Sequence, residues 1–596
     1  MLRRIRKLGR LPVGLGLLLL ACDSSVATID DDGTTAATAT DDTSGSGSST
    51  TTTTLPPAAE SSESGSPEQV CTPGEVRCSS DTTLESCDTA GAIWTEEACP
   101  QETSCVPCED ETCEQDACLG PCDPGAPGSS SGCSFLVARQ MGLSEVLGPE
   151  IGIPLEEWPQ DGLLLLNPSE TASANVELFE LEFGNTTPEG PTQTVVLPPG
   201  GAELIPVGVP LPLGQITTLR IGAMTWVNSD RPIVAYSYSP IEPFVGNDSS
   251  MLLPETALGL HYIVPSFPPH YLQFQGAGTP SYFDVLATEP NTTVRWLAQF
   301  TGTLGSGLPI DPVSAGEWSN DYVVERFEGM RVITSGEDPD PHDWDVSGMV
   351  VEASAPIYVV GGSRCSAVPE IASPNRGCDP LIEALIPLEA WGSTYVVPPP
   401  PPRLDEDHHY RVYGGEAGIT VTTDPPGLPV DDYTFASRGD YVDVIVPFGT
   451  SFSASADGPI MVVGYLASRD LAGGVGDPAM YQHVSFEQAD THFAIGAPAK
   501  WDTQYVQVAR ANGAAAVELD GVPLADWSPA GDDYRFTIAV VEPGVHVLDS
   551  ADPFVATQFA YNNSTQDACA GYDSSSDCHT SYAHPVGMRA ERLYVP

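Results

Sequence analysis

Cysteine is the residue with the most chemistry to offer in this chain, and there are 15 of them. Cys22 closes the run Leu19-Leu20-Ala21-Cys22. That run ends an apolar segment, Leu11 to Ala21, which follows Arg3, Arg4, Arg6, Lys7 and Arg10. A basic start, an apolar stretch too short to cross a bilayer and a cysteine after a small residue make an export signal ending in a lipidation site, residues 1–22. Acyl chains on Cys22 would hold the protein on a membrane without crossing it. A plain secretory signal peptide is the alternative. The other 14 cysteines form three even groups. The first is Cys71, Cys78, Cys87, Cys99, Cys105, Cys108, Cys113, Cys118, Cys122 and Cys133. The second is Cys365 with Cys378, close enough in sequence to close a small loop, and the third is Cys569 with Cys578. Even groups in an exported chain predict structural disulfides. Cys105-Val-Pro-Cys108 has the spacing of a zinc or redox pair. It lacks the βαβ context of a redox motif and is read with the other disulfide cysteines. The connectivity within 71–133 stays open.

Oxygen ligands are the next candidates. Glu337-Asp-Pro-Asp340 with Asp343 and Asp345 could offer carboxylates to calcium, with Asp340, Asp343 and Asp345 as the ligands. The spacing is not that of an EF-hand, and Asp/Pro loops are common turns. No cofactor is expected, and calcium is the one ion left to test. His408-His409 follows Asp405-Glu406-Asp407. Adjacent strand residues point to opposite faces, so the two imidazoles cannot share one ion; the pair is expected in an exposed turn. Asp379 is expected to cap a short helix over Asp379 to Glu389. Trp226, Trp296, Trp344, Trp391 and Trp501 are expected in core or inter-unit packing. The sequence contains no H-E-x-x-H or Walker A motif, and no enzyme is predicted.

These residues need elements to hold them. The chain has 57 Gly and 57 Pro, a load that suits many short strands joined by turns. Lys+Arg number 23 against 81 Asp+Glu, a net charge of −58, and the only lysines are Lys7 and Lys500. Such a polyanion repels nucleic acid and anionic lipid, so neither is an expected partner. Residues 23–70 are Ser, Thr, Asp, Gly and Pro with few large apolar side chains, a composition that cannot offset ordering entropy; they read as a disordered linker. Residues 71–133 read as a disulfide-stapled module.

From about residue 134 onward, short Val/Ile/Tyr/Phe runs alternate with polar residues. One pattern recurs four times: a Ser- or Asp-bearing turn, a proline, then an apolar strand. The prolines are Pro232, Pro356, Pro459 and Pro553. A proline opening each strand would forfeit no ladder bond. The fold class is therefore mostly β, with tandem β-sandwich-like units of about four repeats: 134–270, 271–402, 403–499 and 500–596. A propeller-like or interlocked arrangement is the alternative.

The span from about 140 to 596 resembles the IgGFc-binding protein N-terminal domain family. Gly361-Gly362, Cys365, Val368-Pro369, Cys378-Asp379, Glu383, Pro387, Trp391-Gly392 and Tyr395-Val396 carry most of the resemblance, with Leu252-Leu253-Pro254 and Gly476-Asp-Pro-Ala-Met480. The resemblance implies an extracellular, non-enzymatic binding module. The expected protein is an adhesion or binding lipoprotein of the outer membrane or cell surface, facing an extracellular protein or glycan and touching membrane through its lipid alone. An extracellular hydrolase or carbohydrate-active enzyme is one alternative, and a calcium-stabilised structural envelope protein is another.

Overall fold

The structure is a computed structural model. It describes residues 72, 75–80, 83–89, 93–99, 104–106, 117–120, 122–123, 128–140, 160–182, 184–207, 218–241, 246–272, 277–299, 310–334, 344–370, 378–562 and 580–596. The protein is mostly β, built from several antiparallel sheets.

In three of the four repeats one long strand organises everything else: Met224–Ser239, Val350–Ser366 and Gly544–Tyr561. Each bends midway and serves two sheets. In the first repeat, Met224 to Ser229 pairs with Val176 to Leu181, whereas Val234 to Tyr238 pairs with Gly162 to Leu166. The ladder to Ser131–Ala138 jumps between Asn228 and Ile233, across Pro232. The equivalent jumps lie between Glu352 and Ile357, across Pro356, and between Asp549 and Phe554, across Pro553. Proline supplies no N–H, so it sits where the ladder is already interrupted and the strand turns its corner. The expectation that proline opens the strand holds only in the third repeat. There Asp457-Gly458-Pro459 splits the corner strand into Phe452–Ala456 and Ile460–Tyr465. In the other three the strand runs through its proline.

The strand order then repeats. The first sheet runs from an edge strand to a strand that follows the turn, then to the second half of the corner strand, then to a last strand. In the first repeat these are Ala202–Val207, Asp161–Leu166, the corner strand and Asp248–Met251. In the second they are Glu328–Ile333, Ser281–Ala287, the corner strand and Asp379–Ala384. In the third they are Tyr441–Val446, His408–Gly414, Ile460–Tyr465 and Met480–Gln482. In the fourth they are Tyr534–Val541, Thr503–Ala511, the corner strand and Ser581–Pro585. A second sheet on the first half of each corner strand completes a sandwich. Distinct apolar cores fill repeats two, three and four, around Trp296, Val412 and Val508. A further core extends from repeat one into the centre of the molecule.

The four last strands meet there. Asp248–Met251 touches Asp379–Ala384 and Ser581–Pro585, and Met480–Gln482 touches the same two, so the four repeats close into a ring. Each last strand is buried on both faces, as a strand at the hub must be. Burial also explains a correction. Asp379 to Glu389 is no helix: it is the strand Asp379–Ala384 followed by a single 3-10 turn, Leu388–Ala390. Pairing with the corner strand along a fully buried segment overrides the local helical preference. The 3-10 turns at Glu255–Ala257 and Phe486–Gln488 occupy the matching places in repeats one and three. The C-terminal segment closes the circle: the Ser130 N–H donates to the Met588 carbonyl at 3.0 Å, and the Leu593 and Tyr594 N–H groups donate to the Glu389 carbonyl. No helix among the described residues is long and apolar enough to cross a membrane.

Candidate functional site

Buried ionisable residues gather at the junctions between repeats. Arg411 lies on His408–Gly414 between the two tyrosines of Tyr410-Arg-Val-Tyr413, on the face turned toward repeat two. Its Nη1 donates to Asp345 Oδ2 at 2.7 Å, to Ser347 Oγ and to the Ser266 carbonyl, and its Nε donates to Asp443 Oδ1. The guanidinium lies 4.5 Å from the Tyr441 ring and 4.9 Å from the Phe267 ring. Both Arg411 and Asp345 are buried. Arg331 does the same work between repeats one and two, forking onto both Asp284 oxygens and donating to the Arg139 carbonyl. Fork-to-carboxylate geometry is what a buried cation requires to replace its lost hydration.

At the hub four carboxyls come together: Asp248, Asp379, Glu383 and Asp477, all buried. Asp248 Oδ2 accepts from the Ile382 and Met480 N–H groups, so one side chain stitches three repeats. Glu383 Oε1 accepts from the Gln482 backbone and side chain. Burial raises the pKa of Asp248 well above the carboxylate range, and Glu383 adds to it. Burial likewise raises Asp379, with the Asp477 charge second. Burial pushes Glu383 up to about 8. Burial disfavours the charged forms of Asp248, Asp379 and Glu383, which act as hydrogen-bonding keystones.

The residues singled out in sequence mostly build this hub. The Cys365 and Cys378 sulfurs are bonded, tying the end of the corner strand to the last strand of repeat two. A Cβ on Gly361 would lie 2.7 Å from Val264 Cγ1, and one on Gly362 would strike the Leu381 carbonyl. Val368 and Ser468 bond reciprocally, the Val368 N–H to Ser468 Oγ and the Ser468 N–H to the Val368 carbonyl, joining repeats two and three beside Pro369. Pro387 leads into the 3-10 turn, Trp391 Nε1 donates to the Ile386 carbonyl, and a Cβ on Gly392 would collide with Ser485. Trp296, Trp344, Trp391 and Trp501 are buried, and Trp226 is half-buried with Phe179 stacked on it at 4.6 Å.

His408 and His409 are corrected from an exposed turn to a buried strand, opposite Val446 and Ile445. Burial lowers both, His408 to about 4. The exposed residues are Asp405 and Asp407, while Glu406 is buried against Arg403. Of the calcium candidates, Asp340 and Asp343 lie outside the described residues, and both Asp345 oxygens are engaged, one by Arg411 and one by Ser347. Among the described residues no group of three or more His, Cys, Asp or Glu is arranged to hold a metal ion. In the cysteine-rich module Cys99 pairs with Cys118 and Cys122 with Cys133, and Cys78 and Cys87 are also oxidised. Cys22, Cys71, Cys108, Cys113, Cys569, Cys578 and the side chain of Cys105 lie outside the described residues.

Sequence reasoning passed over Arg411, Arg331, Asp248 and Trp318. The first two carried a usable signal, because an arginine inside an apolar or aromatic strand needs a buried partner. Trp318 carried none; it is 40 % exposed, with the Arg295 guanidinium 4.4 Å from its ring.

A mostly β ring of sandwich repeats carrying disulfides suits an oxidising, extracytoplasmic setting. The sequence family is specific. The family described as IgGFc binding protein matches residues 248–560, just over half of the chain, and the chain belongs to that family. The match starts at the last strand of repeat one and ends in the corner strand of repeat four, a narrower span than 140 to 596. No curated protein matches the chain.

Proposed function

We propose that this is a non-enzymatic binding or adhesion lipoprotein displayed at the cell surface. Residues 1–22 direct export and lipidation at Cys22, and 23–70 tether a cysteine-rich module, 71–133. The β ring, 134–596, meets an extracellular protein or glycan. The reading rests on one observation above the rest. The clustered carboxyls and buried arginines tie repeats to one another, which leaves strand edges and loops as the surface available to a partner. Family membership supports a binding-type role.

The test has two parts. Mass spectrometry of the native protein should find the mature chain beginning at acylated Cys22 with its cysteines paired. Crosslinking on intact cells should then trap an extracellular partner on residues 134–596. A mature protein lacking Cys22 removes the anchor. Turnover of a glycan or peptide that a single carboxylate substitution abolishes removes the non-enzymatic reading.

A further inference from the structure

The four repeats share one strand order, so the edges of their first sheets can be compared. In repeat two the edge strand Glu328–Ile333 is covered by Thr218–Ile221, a segment of sequence Thr-Leu-Arg-Ile added antiparallel in a continuous register. In repeat four the edge strand Tyr534–Val541 is covered by Ser528–Ala530. In repeat three the equivalent strand, Tyr441–Val446, pairs with His408–Gly414 alone among the described residues, as Ala202–Val207 of repeat one pairs with Asp161–Leu166 alone. No described strand pairs with the other side of Tyr441–Val446, which makes that side a template for one more strand.

The side chains around this edge specify what would cover it. Ile445 on the strand is 52 % exposed and Phe448 just beyond it is 44 % exposed. The charge is negative: Asp405 and Asp407 are exposed where the chain enters the neighbouring strand, and Asp443 is 57 % exposed. The nearby cations are spent, Arg403 on Glu406 and Arg411 on Asp345 and Asp443. We propose that this edge takes an extended, cationic, partly apolar segment of a partner protein by strand addition. Backbone bonds would supply affinity, Ile445 and Phe448 apolar contact, and the aspartates charge selection. The covering strand of repeat two, apolar with one arginine, is an internal precedent for the chemistry. The proposal deepens the binding-protein reading and rests on it.

The probe is a fluorescent peptide, Lys-Thr-Leu-Arg-Ile-Lys, titrated into the full-length protein at low salt and followed by anisotropy. Binding is expected, weakening as salt rises. Ile445→Lys and Phe448→Lys should each weaken it by about tenfold. Val522→Lys, on an exposed edge of repeat four, should leave it unchanged. Thermal melting of each variant confirms folding. Equal binding by Ile445→Lys, or equal binding of a glutamate-for-lysine peptide, overturns the proposal. So does a wild-type dimer in sedimentation that Ile445→Lys dissolves, since a second copy would then be the occupant. If Ile445→Lys still crosslinks the same extracellular partners as wild type, the binding reading stands and this edge is not their site. If neither protein crosslinks any partner, the binding reading itself falls.

Discussion

Arg411 shows what one side chain does at a repeat junction. It and Asp345 are 3 % and 4 % exposed, and the arginine also holds the Ser266 carbonyl and Ser347 Oγ. Arg411→Met would leave the Asp345 carboxylate buried and uncompensated, at a cost of about 3–5 kcal/mol. Urea unfolding should show that loss, and Arg411→Lys should recover only part of it, because a point charge cannot replace the fork. The Cys365–Cys378 bond spans 13 residues of sequence. Its replacement by serines should cost about 3 kcal/mol by the loop-entropy account, read as a drop in melting temperature without reductant. At this scale the sequence was legible where parity and spacing speak, as with Cys365 and Cys378. It was silent on partnership. The histidines looked exposed because acids precede them, whereas the chain turns inward at His408 once Glu406 has paired with Arg403.

The elements that carry most information are the bent corner strands. Their proline was visible in sequence, and its fourfold recurrence was the clearest sign of a repeat. What could not be seen is that pairing continues on both sides of the proline, because pairing partners lie far along the chain. Asp379 to Glu389 failed for a related reason: helix and buried strand look alike in a short apolar run, and only the neighbours decide. The glycines of this element are where its geometry can be tested. Gly362 sits in the ladder to Asp379–Ala384, with the Leu381 carbonyl occupying the space a Cβ would need. Gly362→Ala must push that ladder apart and should destabilise the protein by about 1–3 kcal/mol or more. The unfolding midpoint would show it, and hydrogen exchange should show amides of Leu381 and Ile382 losing protection first.

Over the whole molecule, the ring depends on a hub whose charge state is opposed to its surroundings. The chain carries a net charge of −58, yet the hub carboxyls are raised by burial: Asp248, Asp379 with Asp477 beside it, and Glu383, at about 8. A carboxyl raised in the folded state holds a proton that the unfolded chain has released. For Glu383 the stabilising contribution is complete below the unfolded pKa of 4.5 and is lost as pH rises through about 8. The cation facing this cluster is Arg469, which lowers Asp379 without cancelling burial. The buried histidines act in the opposite sense. Burial lowers His483 to about 3 and His584 to about 4, so their neutral forms favour folding above about pH 6.5, and that contribution is lost as pH falls below it. The two sets together predict a stability maximum in mildly acidic solution, declining on both sides. Glu383→Gln keeps the acceptor that serves Gln482 and removes the titration, so it should flatten the alkaline limb of melting temperature against pH. His584→Phe keeps the aromatic packing against Tyr236 and Tyr582 and should flatten the acid limb. An alkaline limb unchanged by Glu383→Gln would mean that the hub carboxyls are ionised in the folded ring, held by compensation from charges outside the cluster.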